Sequence, residues 1–100
     1  MNLPKTIKIG ADIFKVVEDK NSIGADFSYD THILTIGTKI TTREHLLNII
    51  THEIFEMWAV TLYIRYTRPD TFKTYEFHFD HRQFTNWIEL ASQSVAEFKL

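Results

Sequence analysis

The chain has 100 residues, a length that supports one hydrophobic core, so we expect a single domain over residues 1–100. Hydrophobic residues make up 44% of it, which excludes a mainly disordered chain, and the absence of cysteine excludes disulfide scaffolds and thiol nucleophiles. A formal net charge of −2 gives no cationic surface for nucleic acid, and no apolar run is long enough for a signal peptide or a membrane span. We therefore expect a cytoplasmic protein with neither nucleic acid nor membrane as partner.

The first third of the chain alternates apolar and polar residues, a pattern typical of β-strands. Turn signals at Gly10 and at Asp30-Thr31 separate the apolar runs from one another. The pattern predicts three or four short antiparallel strands joined by tight turns. The runs that carry this prediction are 7–9, 13–17, 27–29 and 32–36.

The periodicity changes at Thr41, where a helix is expected to begin. Thr41 and Glu44 have the spacing of a capping box, in which each side chain bonds the backbone of the other residue. Apolar residues then recur every three or four positions, as on one face of a helix. We expect about twenty helical residues, ending before Pro69 because proline disfavours the helical conformation in the residue ahead of it. The apolar positions are Leu46, Leu47, Ile50, Ile54, Met57 and Trp58.

A segment of undecided class and a second helix complete the chain. Residues 71–80 alternate aromatic and polar side chains, which fits either a strand or an extended loop. Asp80 and Gln83 have N-cap spacing, and an apolar stripe then runs to the C-terminus. Strands followed by helices predict an α+β fold with the helices packed on one face of an antiparallel sheet. The stripe consists of Phe84, Trp87, Ile88, Ala91, Val95 and Phe98.

The first predicted helix contains the sequence His52-Glu53-Ile54-Phe55-Glu56. His52 and Glu56 are four residues apart, so they project from one helix face and can hold one divalent ion, usually zinc. Glu53 lies about 100° further round the helix, so we expect it to hold a water on that ion instead of ligating it. The alternative is an exposed helix face whose acids and histidine are simply solvated.

A catalytic zinc site needs a third protein ligand, which has to come from another element. His81 is the best candidate, because it lies three residues before Phe84 and seven before Ile88, on the stripe expected to face inward. An inward-facing polar side chain needs a partner, and a metal ion provides one. His78 is the second candidate, but its facing depends on the undecided segment.

Two stretches, LLNIITHEIFEMW and HFDHRQFTNWIELASQSVAEF, resemble a group of small bacteriophage and prophage proteins. These proteins look like minimal zincins of the gluzincin, metallopeptidase-like type: a β-meander, a motif helix and a C-terminal helix. The resemblance covers nearly the whole chain, and its sharpest part is HExxE together with the later HRQ. It implies that His52, Glu56 and His81 ligate one zinc ion, that Glu53 is the catalytic base activating a zinc-bound water, and that the protein acts in the cytoplasm of a bacterial host.

Three functions remain open from the sequence. The first is a zinc-dependent peptide hydrolase using Glu53. The second is a catalytically inactive zincin-like domain, in which the metal stabilises a module that binds a phage or host protein. The third is a metal-free interaction module.

The remaining partner predictions are less specific. A peptide or protein substrate can pair with an edge strand, either 27–29 or 32–36. Tyr66, Tyr75 and His78 are candidate donors to a tetrahedral intermediate. The chain is expected to be a monomer or a homodimer, the latter through apolar residues that lie off the main helical stripe, namely Phe55, Val60 and Tyr63.

Overall fold

The architecture is that of an α+β domain, as the sequence predicts. A computed structural model describes residues 3–67 and 74–100 of the chain. Four strands come first, then a long helix, a short hairpin and a second helix. In chain order they are β1 (Thr6–Ile9), β2 (Asp12–Asp19), β3 (Ala25–Ser28), β4 (Ile33–Gly37), α1 (Arg43–Thr61), β5 (Arg65–Thr67), β6 (Tyr75–Phe77) and α2 (His81–Ala96).

The four N-terminal strands form one sheet in the order β1-β2-β4-β3. The pairs β1–β2 and β3–β4 are antiparallel, whereas β2 and β4 are parallel, with Val16 opposite Leu34. The sheet is therefore mixed, and this pairing differs from the all-antiparallel meander expected from the sequence. Alternation specifies which face of a strand is buried but not which strand lies beside it.

The insertion of β4 between β2 and β3 is fixed by backbone contacts at its C-terminal end. The amide of Gly37 donates to the carbonyl of Gly24 at 2.6 Å, and the amide of Thr38 donates to the carbonyl of Asp19 at 2.9 Å. A Cβ on Gly37 would collide with the carbonyl groups of Ser22 and Gly24, so only glycine fits here. These contacts hold the 20–24 loop against β4 and leave β3 as an edge strand. Of the two predicted edge strands, 32–36 is instead interior.

Helix α1 begins one residue later than predicted. The N-cap is Thr42, whose hydroxyl accepts a hydrogen bond from the His45 amide at 3.4 Å, so the expected Thr41–Glu44 box is not the cap. The helix ends after Thr61, and Tyr63 then adopts a left-handed φ of 58°. Pro69, the expected terminator, lies outside the described residues. The buried face of α1 packs on Ile7, Ile9, Phe14, Leu34 and Ile36 of the sheet.

Helix α2 has the predicted cap but a different rotation. Asp80 and Gln83 form the reciprocal capping box, with bonds of 2.8 and 2.9 Å. Phe84 and Ile88, expected to face inward, are 42% and 40% exposed, whereas Ala91 and Ser94 are buried.

Two indole groups account for this rotation. Trp58 of α1 donates to the Ser94 hydroxyl at 2.8 Å, and Trp87 of α2 donates to the Phe55 carbonyl at 2.8 Å. The core-facing line therefore runs through 87, 91, 94 and 98 instead of 84 and 88. His81 is exposed in consequence, contrary to the inward orientation expected from the sequence.

Strands β5 and β6 form a separate hairpin that bridges the sheet and α2. Part of the undecided segment is thus a strand, Tyr75–Phe77, while residues 71–73 lie outside the described part of the chain. The Arg65 guanidinium lies 3.5 Å from the Tyr75 ring centroid and 5.5 Å from that of Phe27 in β3. Phe77 stacks on Trp87 of α2 at 5.9 Å. Among the described residues, no helix is both long and apolar enough to cross a membrane.

Candidate metal centre

The structure brings three side chains of α1 into one cluster, which we call the triad: His52, Glu53 and Glu56. One potential ligand atom from each residue lies within 4.8 Å of the other two. His52 Nε2 and Glu56 Oε2 are 3.5 Å apart, as expected for residues one helical turn apart on one face. An imidazole nitrogen and carboxylate oxygens are ligands that zinc accepts, so this group can hold a metal ion.

Glu53 is the buried member of the triad. It occupies the same line of α1 as Leu46, Ile50 and Met57, and it is only 8% exposed. Burial, then the nearby carboxylates of Glu56 and Asp26, raise the pKa of Glu53 to about 7, while Arg65 acts in the opposite direction. A carboxylate with this pKa can both accept and release a proton near neutral pH.

His52 and Glu56 form the accessible side of the triad. Their side chains are 66% and 21% exposed. Two concave regions meet at His52: one of about 410 Å³ towards β6 and α2, and one of about 290 Å³ towards the start of β3. The first includes Glu56 in its lining and the second includes Glu53. An ion on the triad is thus reachable from solvent along two sides.

His81, the expected third ligand, does not belong to the triad. It is the first residue of α2 and is exposed. Helix α2 packs against α1 through two hydrogen bonds, one between Trp87 and Phe55 and one between Trp58 and Ser94. Phe77, four residues before His81, lines the same pocket as His52.

The other candidate donors lie on the β5–β6 hairpin and have partners of their own. The Tyr66 hydroxyl donates to the Tyr63 carbonyl at 2.7 Å. His78 lies 3.1 Å from the Glu76 carboxylate, and the Tyr75 ring lies under the Arg65 guanidinium. The structure does not bring these three into the triad, and their proposed role remains a prediction.

Sequence reasoning missed the residues that surround the triad. Phe77 and Trp87 come from different elements and line the larger pocket beside His52 and Glu56. Arg65 is the cation that acts on Glu53. The aromatic alternation at Tyr75, Phe77 and Phe79 was a signal for one aromatic strand face, but only the tertiary fold shows what that face meets.

No family model, no curated protein and no solved structure matches this chain. The case for a function therefore rests on the geometry of the triad and of the surfaces beside it.

Proposed function

We propose that this chain is a zinc-dependent, metallopeptidase-like domain that hydrolyses a peptide bond at the triad. The observation that carries the proposal is the placement of a buried carboxylate, Glu53, beside an accessible imidazole and carboxylate, His52 and Glu56. The order HExxE followed by a histidine 25 positions later also resembles the small gluzincin-like phage proteins. The donor set of nitrogen and oxygen atoms fits zinc.

The ligands in this proposal are His52 and Glu56 from α1 and His81 from α2. Three protein ligands leave one position open, as catalytic zinc sites require. The position of Phe77, four residues before His81 and in the lining of the same pocket as His52 and Glu56, supports the choice of His81. The alternative third ligand is Glu53, whose carboxylate already lies within 4.8 Å of the other two ligand atoms.

Glu53 is the proton acceptor in the proposed reaction. A bound zinc ion supplies polarisation of the substrate carbonyl and acidification of a coordinated water. Glu53 takes a proton from the attacking water and delivers it to the nitrogen of the departing amine.

Strand β3 offers a place for the substrate backbone. It is an edge of the four-stranded sheet, and its first residue, Ala25, lines the smaller pocket together with His52 and Glu53. An extended peptide that adds to this edge passes beside the triad. The alternative function is an inactive, metal-stabilised module that binds a phage or host protein. The exposed rings of Phe79 and Phe84 on another surface favour that alternative.

The metal site is tested by the zinc content of the purified protein after exposure to zinc at neutral pH. We expect about one zinc per chain, and less than half of that in each of His52→Ala, Glu56→Gln and His81→Ala, because each change removes a ligand. His32→Asn is the matched control: it removes a histidine that lies 3.2 Å from Asp12, and asparagine tolerates the left-handed φ of 54° at this position.

Three results separate the ligand sets from one another. Retention of zinc by His81→Ala with loss in Glu53→Gln assigns the third ligand to Glu53. Absence of zinc from the unaltered protein overturns the proposal as a whole. Equal loss in the control means that the zinc was bound elsewhere.

Catalysis is tested by incubating the zinc-loaded protein with a mixture of synthetic peptides and following the products by mass spectrometry. We expect Glu53→Gln to bind zinc normally and to lose at least 100-fold in cleavage rate, since the proton acceptor is gone. Absence of cleavage from the zinc-loaded, unaltered protein would instead favour the inactive interaction module.

A further inference from the structure

The pocket of about 410 Å³ beside the triad has walls of two different kinds. One wall belongs to α1 and is polar, with His52 and Glu56 one turn apart and Thr51 next to them. The other wall is aromatic and is formed by Phe55, Phe77 and Trp87. This volume lies in the range of small-molecule and side-chain binding pockets. A ligand that fits both walls has a polar end at the triad and a large apolar group against the rings.

The aromatic wall is held in place by contacts among its own members. The Trp87 indole donates to the Phe55 carbonyl at 2.8 Å. Phe77 stacks on Trp87 with 5.9 Å between centroids and 14° between planes, and Phe55 meets the same indole edge-on at 5.8 Å. These contacts join α1, β6 and α2, so the wall is formed before any ligand arrives, which lowers the entropic cost of binding.

A pair of exposed rings at the start of α2 provides a comparison; it adjoins the aromatic wall, since Phe79 meets Trp87 edge-on at 5.5 Å. Phe79 and Phe84 stack on each other at 5.7 Å and are about as exposed as Phe77, at 44%, 42% and 38%. Neither Phe79 nor Phe84 lines the pocket, whose polar wall includes His52 and Glu56 of the triad. The rings of the aromatic wall are thus distinguished by their position beside His52 and Glu56, not by exposure alone.

We propose that this pocket binds a large apolar side chain, best an aromatic one, of the peptide whose carbonyl lies at the triad. The proposal rests on the proposed function and names the substrate class that the same site accepts. A peptide joins a polar carbonyl and an apolar side chain within one residue, which matches a single pocket lined by both walls. On the far side of His52, the smaller pocket and the edge of β3 are free to receive the continuing backbone.

The experiment compares two zinc-binding probes by titration calorimetry with the zinc-loaded protein: acetohydroxamate and 3-phenylpropanohydroxamate. Both carry the same metal-binding head, and only the second carries a ring that can reach the aromatic wall. Burial of a phenyl group predicts that the second probe binds about 10-fold to 100-fold more tightly than the first.

Two variants are designed to remove the higher affinity of the phenyl-bearing probe, one by removing a ring and one by filling the pocket. Phe77→Ala removes one ring of the wall, and Thr51→Phe fills the pocket from the α1 side. In both variants, we expect the two probes to bind with equal affinity. Phe84→Ala is the matched control, since it removes a ring of similar exposure outside the pocket, and it should keep the full gain. Thr51→Phe carries the test if Phe77→Ala does not fold.

The outcomes separate this inference from the proposed function. Equal affinity of the unaltered protein for both probes overturns the inference. In that case, the binding of acetohydroxamate still supports the metal site. A gain that survives both Phe77→Ala and Thr51→Phe places the ring elsewhere and also overturns it. A protein that takes up no zinc in the calorimeter overturns the inference together with the function on which it rests.

Discussion

At the scale of single residues, Glu53 is the position where stability and function conflict. It occupies a core-facing line of α1 that leucine, isoleucine or methionine fills one turn earlier and later. Without a metal ion, the ionised carboxylate loses hydration and lies near Glu56 and Asp26, so the protonated form is favoured and the pKa rises to about 7. A side chain chosen for packing alone would not be an acid.

The pH dependence of stability follows from this raised pKa. In the unfolded chain Glu53 ionises near its ordinary value of 4.5, whereas in the folded, metal-free protein it ionises near 7. The folded state therefore holds the extra proton between these values, and the free energy of unfolding falls as the pH rises from about 4.5 to about 7. Above pH 7 Glu53 is ionised in both states, and the full cost of its buried charge lowers the free energy of unfolding.

We expect Glu53→Gln to stabilise the metal-free protein at pH 8 by about 1–3 kcal/mol and to have little effect at pH 4. The measurement is urea unfolding of chelator-treated protein at both pH values. Glu89→Gln, at an exposed position of α2, is the control and should change neither value. A Glu53→Gln effect that is equal at both pH values would mean that charge is not its cause.

At the scale of elements, the packing of α1 against α2 depends on two indole hydrogen bonds. The bond from Trp58 to Ser94 is buried, with the two residues 9% and 6% exposed. A buried indole N–H without a partner costs free energy, because the water it left behind is not replaced. This bond therefore fixes the rotation of α2, and with it the position of Trp87 in the aromatic wall.

We expect Ser94→Ala to lower the free energy of unfolding by about 1–3 kcal/mol, because it leaves the Trp58 N–H without its acceptor. Ser92→Ala, an exposed change on the same helix, should stay within about 0.5 kcal/mol of the unaltered protein. Thermal or urea unfolding followed by tryptophan fluorescence measures both. Similar values for the two variants would show that the indole finds another acceptor.

The loop between β2 and β3 depends on a second close contact, at Gly37. We expect Gly37→Ala to destabilise the protein by about 1–3 kcal/mol, since its Cβ would meet the carbonyl groups of Ser22 and Gly24. Gly24→Ala is the control within the same contact: an added Cβ there has no atom within 4 Å, so it should be neutral or slightly stabilising. Urea unfolding distinguishes the two, and equal effects would mean that the loop yields.

At the scale of the whole molecule, the proposed zinc ion, with His81 as its third ligand, would be a further link between α1 and α2 besides the two indole hydrogen bonds. Metal binding to the folded state alone raises its stability by mass action. In this chain the stability gained from metal binding adds to that of a single hydrophobic core, formed mainly by the sheet and α1. Zinc is thus expected to act on the global unfolding transition and not only on the site.

We expect free zinc at 100 times its dissociation constant to add about 2.7 kcal/mol to the free energy of unfolding, or roughly 10–20 °C to the Tm. Differential scanning calorimetry with and without zinc measures the shift. His52→Ala should abolish it, and His32→Asn should keep it. A shift that persists in His52→Ala would assign the stabilising ion to other residues.

The features that depend on local geometry are the ones that could be predicted from the amino-acid sequence. The spacing of His52 and Glu56 places both side chains on one face of any helix, and the Asp80–Gln83 box caps α2 from adjacent residues. The alternation of apolar and polar residues over 6–9 likewise agrees with the burial of Ile7 and Ile9. These features follow from contacts between residues a few positions apart, so they are visible in the chain before it folds.

Which elements become neighbours depends on long-range contacts that the local sequence pattern does not specify. The parallel pairing of β2 with β4, the burial of Glu53 and the exposure of His81 each depend on contacts between distant parts of the chain. The rotation of α2 is an instance: its apolar stripe was broad enough for two orientations, and a hydrogen bond from Trp58 to Ser94, 36 positions away, selected one. The periodicity of the sequence does not distinguish between alternative strand pairings or helix rotations. Packing and hydrogen bonds between distant residues select one of them.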